Sequence, residues 1–398
     1  MPHRRPRRTR AHRPLRAAIT SALLGLALLP GGAHAAAAGP ACRPGGAPLV
    51  PRSGVWFGAS LDWAHDSIPA YARRLGATPA VDVSFVQLPF AAGDARNLDA
   101  AVRQIRRAGG MLLLTLEPQQ GLAAVTDAVA RGLAARVARY QAAGVPVLVR
   151  FAHEMNGSWY PWAQQPAAYV AAFRRVAAAV HHRAPGAAML WAPNYGGGYP
   201  FAGGTHQAPA GSADARALDT DGDGAVTGHD DPYAPYWPGD DAVDWVGMTL
   251  YHFGNVYPWG ENEIPEPGKF AALLTGTYVG LNGDESAVPD FYGVYATGHR
   301  KPLAIPETAA LYAPGRGGAT ALQIKRAWWR EVFAPSVRTR FPRLAMVNWF
   351  EWDKTETEIG GRVDWTATRD RRVRAAFRAA LPSWLRFGAD ARRCGRPR

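Results

Sequence analysis

Val145-Pro-Val-Leu-Val-Arg-Phe-Ala-His-Glu-Met-Asn-Gly-Ser-Trp-Tyr-Pro-Trp162 opens as a continuous apolar run and ends in a burst of functional side chains. The run Val145–Ala152 reads as a buried strand, and amphipathic stretches flank it at Val125–Ala142 and Ala167–His182. An uninterrupted apolar strand between two helices belongs to a parallel sheet covered on both faces. Where the strand gives way to loop, His153, Glu154, Asn156, Trp159 and Trp162 arrive within ten residues. An acid beside flat indole rings is what sugar chemistry needs. The acid protonates a glycosidic oxygen, and the rings offer apolar faces to the C–H faces of pyranoses. The simpler alternative is a strand end whose aromatics only pack and whose Glu is solvated.

The same alternation extends in both directions. Strands are expected at Val55–Ser60, Val81–Leu88, Met111–Leu116, Val145–Ala152, Ala188–Ala192, Trp245–Tyr251, Pro302–Ile305 and Leu344–Phe350. Further helices are expected at Leu98–Ala108, Ala321–Val332 and Arg371–Leu381. Eight apolar strands in one run favour a single closed (β/α)8 TIM barrel of the α/β class over an open sheet. Each strand would end near a polar residue: Asp62, Gln87, Glu117, Glu154, Asn194, His252, Glu307 and Glu351. In this fold the chemistry belongs to the C-terminal ends of the strands. The fifth and sixth βα loops, Tyr195–Asp244 and Phe253–Arg300, are long and rich in Gly, Pro and aromatics. Long connections of that kind are usually functional. The barrel domain is placed at 54–388, between a linker at 36–53 and a tail at 389–398.

Residues 1–35 read as a leader. Seven arginines precede the apolar run Ala17–Leu29, and Ala33-His-Ala35 supplies a small-x-small cleavage site. The expectation is a secreted, extracellular protein with no membrane association after cleavage. Loss of the leader lowers the formal charge from +13 to +6, which removes the main support for nucleic-acid binding. Export makes a disulfide between Cys42 and Cys394 the expected state of the two cysteines, a clasp joining the chain ends. The molecule is expected to be a monomer.

A glycosidase of the usual kind needs a second carboxyl group across the scissile bond, and Glu307 at the mouth of the seventh strand is the natural partner of Glu154. At this point the chain resembles glycoside hydrolase family 26, whose members include β-mannanases. Arg150–Trp162 is similar to that family's acid/base motif, and Pro306-Glu-Thr308 matches the nucleophile position. Tyr236–Asp240, followed by Val243–Tyr251, looks like its approach to the sixth strand. The resemblance implies a retaining (β/α)8 glycosidase with Glu154 as acid/base, Glu307 as nucleophile and Tyr251 beside the nucleophile. It further implies that His153, Trp159, Trp162 and a strand-eight Trp, Trp349, form the innermost sugar subsite, with no cofactor for catalysis. Strand alternation alone would turn His153 away from Glu154 unless the strand end twists. A polysaccharide is the implied partner, β-1,4-mannan first, with mixed-linkage β-glucan and β-1,3-xylan as alternatives. The segment Asn348–Lys354, continuing to Trp365, departs from the better-known mannanases and leaves the sugar open.

Asp219-Thr-Asp-Gly-Asp-Gly-Ala-Val-Thr-Gly-His-Asp230 fits the twelve-residue calcium loop. Asp219, Asp221, Asp223 and Asp230 occupy positions 1, 3, 5 and 12, and the Ala225 carbonyl stands at 7. A structural calcium ion ordering the fifth loop is therefore expected, with an acidic turn as the alternative. Two other readings of the whole chain compete with the glycosidase. One is a non-catalytic polysaccharide-binding protein on a decayed barrel. The other is a metal-dependent hydrolase using His153, His252 and Glu307.

Overall fold

The computed structural model describes Cys42, residues 47–388 and Ala391; the leader expected at 1–35, and Cys394, lie outside the described residues. Eight parallel strands form the barrel: β1 Val55–Leu61, β2 Val81–Gln87, β3 Met111–Glu117, β4 Val147–Phe151, β5 Ala188–Trp191, β6 Trp245–Gly247, β7 Leu303–Thr308 and β8 Leu344–Glu351. Each pairs with the next, and β8 pairs back onto β1 with Trp56 opposite Met346 and Leu61 opposite Glu351, which closes the sheet. Every expected strand is present, and the (β/α)8 reading holds.

Alternation of side chains sorts the strand residues into two clusters. Trp56, Val81, Val83, Met111, Leu113, Leu148, Leu190, Trp245, Ala304 and Met346 make one, and these are the pore-facing positions. Their neighbours, such as Phe57, Leu112, Val149 and Val347, belong to the larger layer between barrel and helices. The chain entering β1 lies against the pore cluster, where Trp56 and Trp245 donate their indole N–H groups to the carbonyls of Leu49 and Pro48 at 2.9 and 2.8 Å.

The helices are α1 Ile68–Leu75, α2 Ala92–Ala108, α3 Asp127–Ala142, α4 Pro166–Arg183, α5 Ala213–Leu218, α6 Lys269–Leu274, α7 Ala321–Val332, α8 Pro335–Arg340 and α9 Arg371–Ala380. Local chemistry explains their starts. Ser67, Thr126, Thr320 and Asp370 each accept a backbone N–H of the first turn, and Gln323 completes a capping box at α7. After β8 the chain forms a hairpin, β9 Asp353–Glu356 with β10 Gly361–Asp364, which sequence periodicity does not announce. β11, Leu385–Arg386, then pairs on the outside of β1.

Candidate active site

β4 carries Arg150 one residue from its end, fully buried and facing the pore beside Thr115 of β3. A buried guanidinium is costly unless paired. Here it forms an ion pair with Glu307 of β7 and donates Nη2 to the Thr249 hydroxyl at 2.6 Å. The other Glu307 oxygen accepts the Tyr251 hydroxyl at 2.8 Å. Both oxygens of the carboxylate thus have a donor, and the group is fixed in orientation.

Beyond Phe151 the strand does not continue its alternation. Ala152 and Glu154 adopt left-handed backbone with φ of 48° and 54°, uncommon for residues other than glycine. Those two reversals bring His153 and Glu154 to the same site. A ring nitrogen of His153, an oxygen of Glu154 and an oxygen of Glu307 all lie within 4.8 Å of one another. The segment is held by Asn156, whose side chain bonds both the carbonyl and the N–H of Asn194 at 2.8 and 2.9 Å.

Glu154 is half-buried, and burial pushes its carboxyl up to about 7, reinforced by the negative charge of Glu307. Arg150, the Thr249 hydroxyl and the Trp159 indole oppose that shift. Trp159 Nε1 lies 3.1 Å from Glu154 Oε2. The Trp159 ring packs on Gly157, where any Cβ would fall 2.4 Å from the indole, so the glycine makes room for it. Burial holds the His153 imidazole well below its usual value, hence neutral at pH 7.

A cleft of about 550 Å³ opens over the pair. Trp159, Tyr160 and Phe201 line one wall; Tyr251, Phe253, Phe350 and Trp365 line another. Tyr251 is held edge-on to Phe350, with ring centroids 5.7 Å apart, and lies 5.1 Å from Trp365.

Two of the aromatics expected at the sugar site are elsewhere. Trp162 is fully buried, donates to the His153 carbonyl at 2.7 Å and stacks behind Tyr160 at 4.4 Å, so Tyr160 presents the ring to the cleft. Trp349 points from β8 toward the helices, against Phe333 and Phe377. Its neighbour Phe350 faces the cleft, as alternation requires. Trp159 lines the cleft, and a ring nitrogen of His153 lies within 4.8 Å of both carboxylates. Sequence reading missed Arg150, Tyr160, Thr249, Phe350 and Trp365. Arg150 had left a signal: a lone charge inside an apolar strand must have a buried partner.

His252 does not join His153 and Glu307. Its Nε2 meets the Glu263 carbonyl at 2.9 Å and its ring lies 6.0 Å from Trp328, so the three-ligand metal site does not assemble. Glu351 points behind the barrel, accepting from Ala367 N and Thr368 Oγ1 at 2.9 and 2.8 Å. Glu117 ends β3, with burial raising its carboxyl.

In the β5–β6 connection, Asp219, Asp221 and Asp223 bring carboxylate oxygens within 4.8 Å of one another. Asp219 accepts the amides of Gly222 and Gly224, while Asp221 and Asp223 each use one oxygen on the amide two residues on and leave the other free for a cation. That donor set suits calcium. Asp230 stands apart from the trio. It is buried, and its oxygens accept the amides of Thr220, Asp221 and Thr227.

A closed parallel barrel with two facing carboxyl groups at the C-terminal ends of β4 and β7 has the architecture of the barrel glycoside hydrolases. The glycosyl hydrolase family 26 model matches residues 115–192, from β3 through the Glu154 segment to β5. Endoglucanase H of Acetivibrio thermocellus is 24% identical over 283 residues, which are 69% of this chain and 24% of that protein. The chain therefore spans about a quarter of the length of that relative. Among solved structures, a double mutant of the Cellulomonas fimi endo-beta-1,4-mannanase has the same fold, with a TM-score of 0.53 and 16% identity over 84% of this chain and 72% of that one. Bacillus subtilis mannanase man26 follows at 0.45 and 14%, over 83% and 86% of the two chains. The chain is thus similar to glycosyl hydrolase family 26 over the segment that carries Glu154.

Proposed function

We propose that the protein hydrolyses internal β-glycosidic bonds of a polysaccharide with retention of configuration, Glu154 serving as acid/base and Glu307 as nucleophile. The observation that carries this reading is the approach of the two carboxyl groups to within 4.8 Å. Retaining enzymes place them about 5–5.5 Å apart, whereas inverting enzymes leave room for a water at about 6.5–9.5 Å. The two environments also separate the roles. Glu307 is ion-paired with Arg150, as an attacking carboxylate needs, while Glu154 is raised to about 7 and so keeps a large protonated fraction near neutral pH.

In the first step a Glu307 oxygen bonds to the anomeric carbon as the glycosidic C–O bond breaks, and Glu154 gives its proton to the leaving oxygen. The product is an ester between sugar and Glu307. In the second step Glu154 takes a proton from water, whose oxygen bonds to the anomeric carbon and frees Glu307. Tyr251 keeps the nucleophile aimed throughout, and neutral His153 offers a hydrogen-bonding nitrogen to the sugar beside it.

For the substrate we propose β-1,4-mannan, on the family and the mannanase fold relative. Mixed-linkage β-glucan and β-1,3-xylan are the alternatives. Incubating the enzyme with mannan, lichenan, β-1,3-xylan and laminarin and following reducing ends decides it. Faster release from any of the last three overturns mannan, and a ladder of oligosaccharides supports internal cleavage. Proton NMR of the first-formed anomer tests retention. Export through the leader, a Cys42–Cys394 clasp, a monomeric state and a calcium ion on the Asp219 loop complete the proposal.

A further inference from the structure

Thr249 stands two residues beyond β6, buried between the apolar neighbours Met248 and Leu250. Its backbone is fixed from two directions. The Thr249 N–H bonds the Pro193 carbonyl at 3.1 Å, next to the Ala192 carbonyl that accepts the Glu154 N–H at 3.0 Å. The Leu250 N–H bonds the Glu307 carbonyl at 3.1 Å. The ends of β5 and β7 therefore hold this residue beside both catalytic carboxyl groups. Threonine is β-branched and has little χ1 freedom, so the direction of its hydroxyl follows from the backbone.

A hydroxyl has one proton to give and lone pairs to receive. Arg150 Nη2 can only donate, and it lies 2.6 Å from Thr249 Oγ1, so the threonine oxygen accepts. The hydroxyl proton is left for a second partner, and that partner is the Glu154 carboxyl. Arg150 is also ion-paired with Glu307. One hydroxyl thus connects the cation that holds the nucleophile to the acid/base, and donation from a guanidinium polarises the O–H and strengthens the bond it makes. Trp159 Nε1 gives Glu154 Oε2 another bond, at 3.1 Å. Both neighbours donate, so the acid proton is left for the leaving oxygen. The other groups facing the Glu154 carboxyl are Glu307, His153, Tyr160 and Tyr251. Of these only Glu307, paired with Arg150, carries a charge, since burial keeps the imidazole and both phenols neutral.

Resting on the retaining-glycosidase reading, we propose that Thr249 is a positioning residue for the acid/base. Its hydroxyl orients the Glu154 carboxyl toward the leaving oxygen and ties it to the Arg150–Glu307 pair. The proton still passes from Glu154 to the leaving oxygen, and Thr249 keeps its own throughout.

The test compares wild type, Thr249→Val and Thr249→Ser. Valine keeps the branched shape and loses the hydroxyl, whereas serine keeps the hydroxyl. NMR titration of the Glu154 carboxyl needs no substrate. A donor to the ionised form holds a carboxyl down, so Glu154 should titrate higher in Thr249→Val than in wild type and return in Thr249→Ser. An unchanged titration in the valine variant overturns the link. Activity is read on whichever polysaccharide of the panel wild type degrades fastest, and on the 2,4-dinitrophenyl β-glycoside of its disaccharide, whose leaving group needs little protonation. Thr249→Val should lose about tenfold in kcat/KM on the polysaccharide, as expected for one hydrogen bond to a charged group, and stay within about twofold on the dinitrophenyl glycoside. Thr249→Ser should recover most of the polysaccharide activity. Equal losses on both substrates would mean that the hydroxyl serves only Arg150 and the nucleophile, which overturns the proposal. A wild type inactive on every substrate overturns the glycosidase reading, while the titration still decides whether Thr249 holds Glu154.

Discussion

Glu154 and Glu307 are chemically identical side chains made different by what surrounds them. Ionising Glu154 is opposed first by burial and next by the charge of Glu307. If Glu154 must be protonated for the first step, kcat/KM should fall above a pH of about 7, and a pH profile of wild type locates that limb. Glu307→Gln removes one cause of the shift, so the Glu154 carboxyl should titrate lower in that variant, read by NMR; an unchanged value would contradict the coupling. The same shift predicts a stability effect of definite sign. The Glu154 carboxyl is raised in the fold from an ordinary value of 4.5. Its ionisation therefore costs no stability below about pH 4.5, an increasing amount above it, and the full amount beyond about pH 7. Glu154→Gln should melt above wild type at pH 8, and the difference should vanish by pH 4. Tyr251→Phe deletes a hydrogen bond to Glu307 without disturbing the ring cluster, and should lower kcat about 10- to 100-fold, since bonds to charged groups are worth about 1.5–3 kcal/mol.

The strands and the flanking helices were largely legible because each leaves a periodic pattern over many residues. Ala321–Val332, with Thr320 ahead of it and Gln323 in its first turn, is found with the bounds expected. α1 was missed because eight residues starting Ile-Pro hold too few apolar repeats, and the β9–β10 hairpin is polar on the face it shows to solvent. At the site, the carboxylates could be read from their strand ends, but the aromatics could not. Which of Tyr160 and Trp162, or of Trp349 and Phe350, faces the cleft depends on one residue of register and on the loop's path. The left-handed backbone at Ala152 and Glu154 determines that path after β4, and no local sequence pattern announces it. A paired substitution exposes the division of labour. Trp162→Ala leaves a hole behind Tyr160 and should cost about 3–5 kcal/mol of stability by urea denaturation. Trp159→Ala, at a residue 38% exposed, should leave the urea midpoint nearly unchanged while lowering kcat/KM. If the two losses came out the other way round, Trp162 rather than Tyr160 would be the ring that meets the sugar.

At the scale of the whole molecule, the proposed calcium loop and the proposed terminal clasp act on different parts of the structure. The loop sits within one connection, 192–244, whose nearer end supplies Asn194, Tyr195, Gly197 and Phe201 to the cleft. Losing the ion should therefore loosen a cleft wall before it loosens the barrel, because eight strands closed by β8 on β1 carry the global stability. The geometry separates two ways of breaking the loop. Asp223→Ala removes an oxygen free for the cation and leaves the Asp230 amide bonds in place, so high calcium should restore it. Asp230→Ala removes the acceptor of the Thr220, Asp221 and Thr227 amides, and calcium should not rescue it. Limited proteolysis between Gly211 and Asp231, with and without a calcium chelator, reads both. Identical cleavage under all conditions would leave an acidic turn with no metal. A clasp joining the chain ends acts on the unfolded chain instead, and the loop-closure model gives it at most about 5 kcal/mol. Reduction should accordingly lower the melting temperature while low-temperature activity stays near that of the oxidised protein. Chelation should do the reverse, raising KM well before the melting transition moves. A melting temperature that falls as far on chelation as on reduction would mean that the fifth loop supports the barrel itself rather than only the cleft.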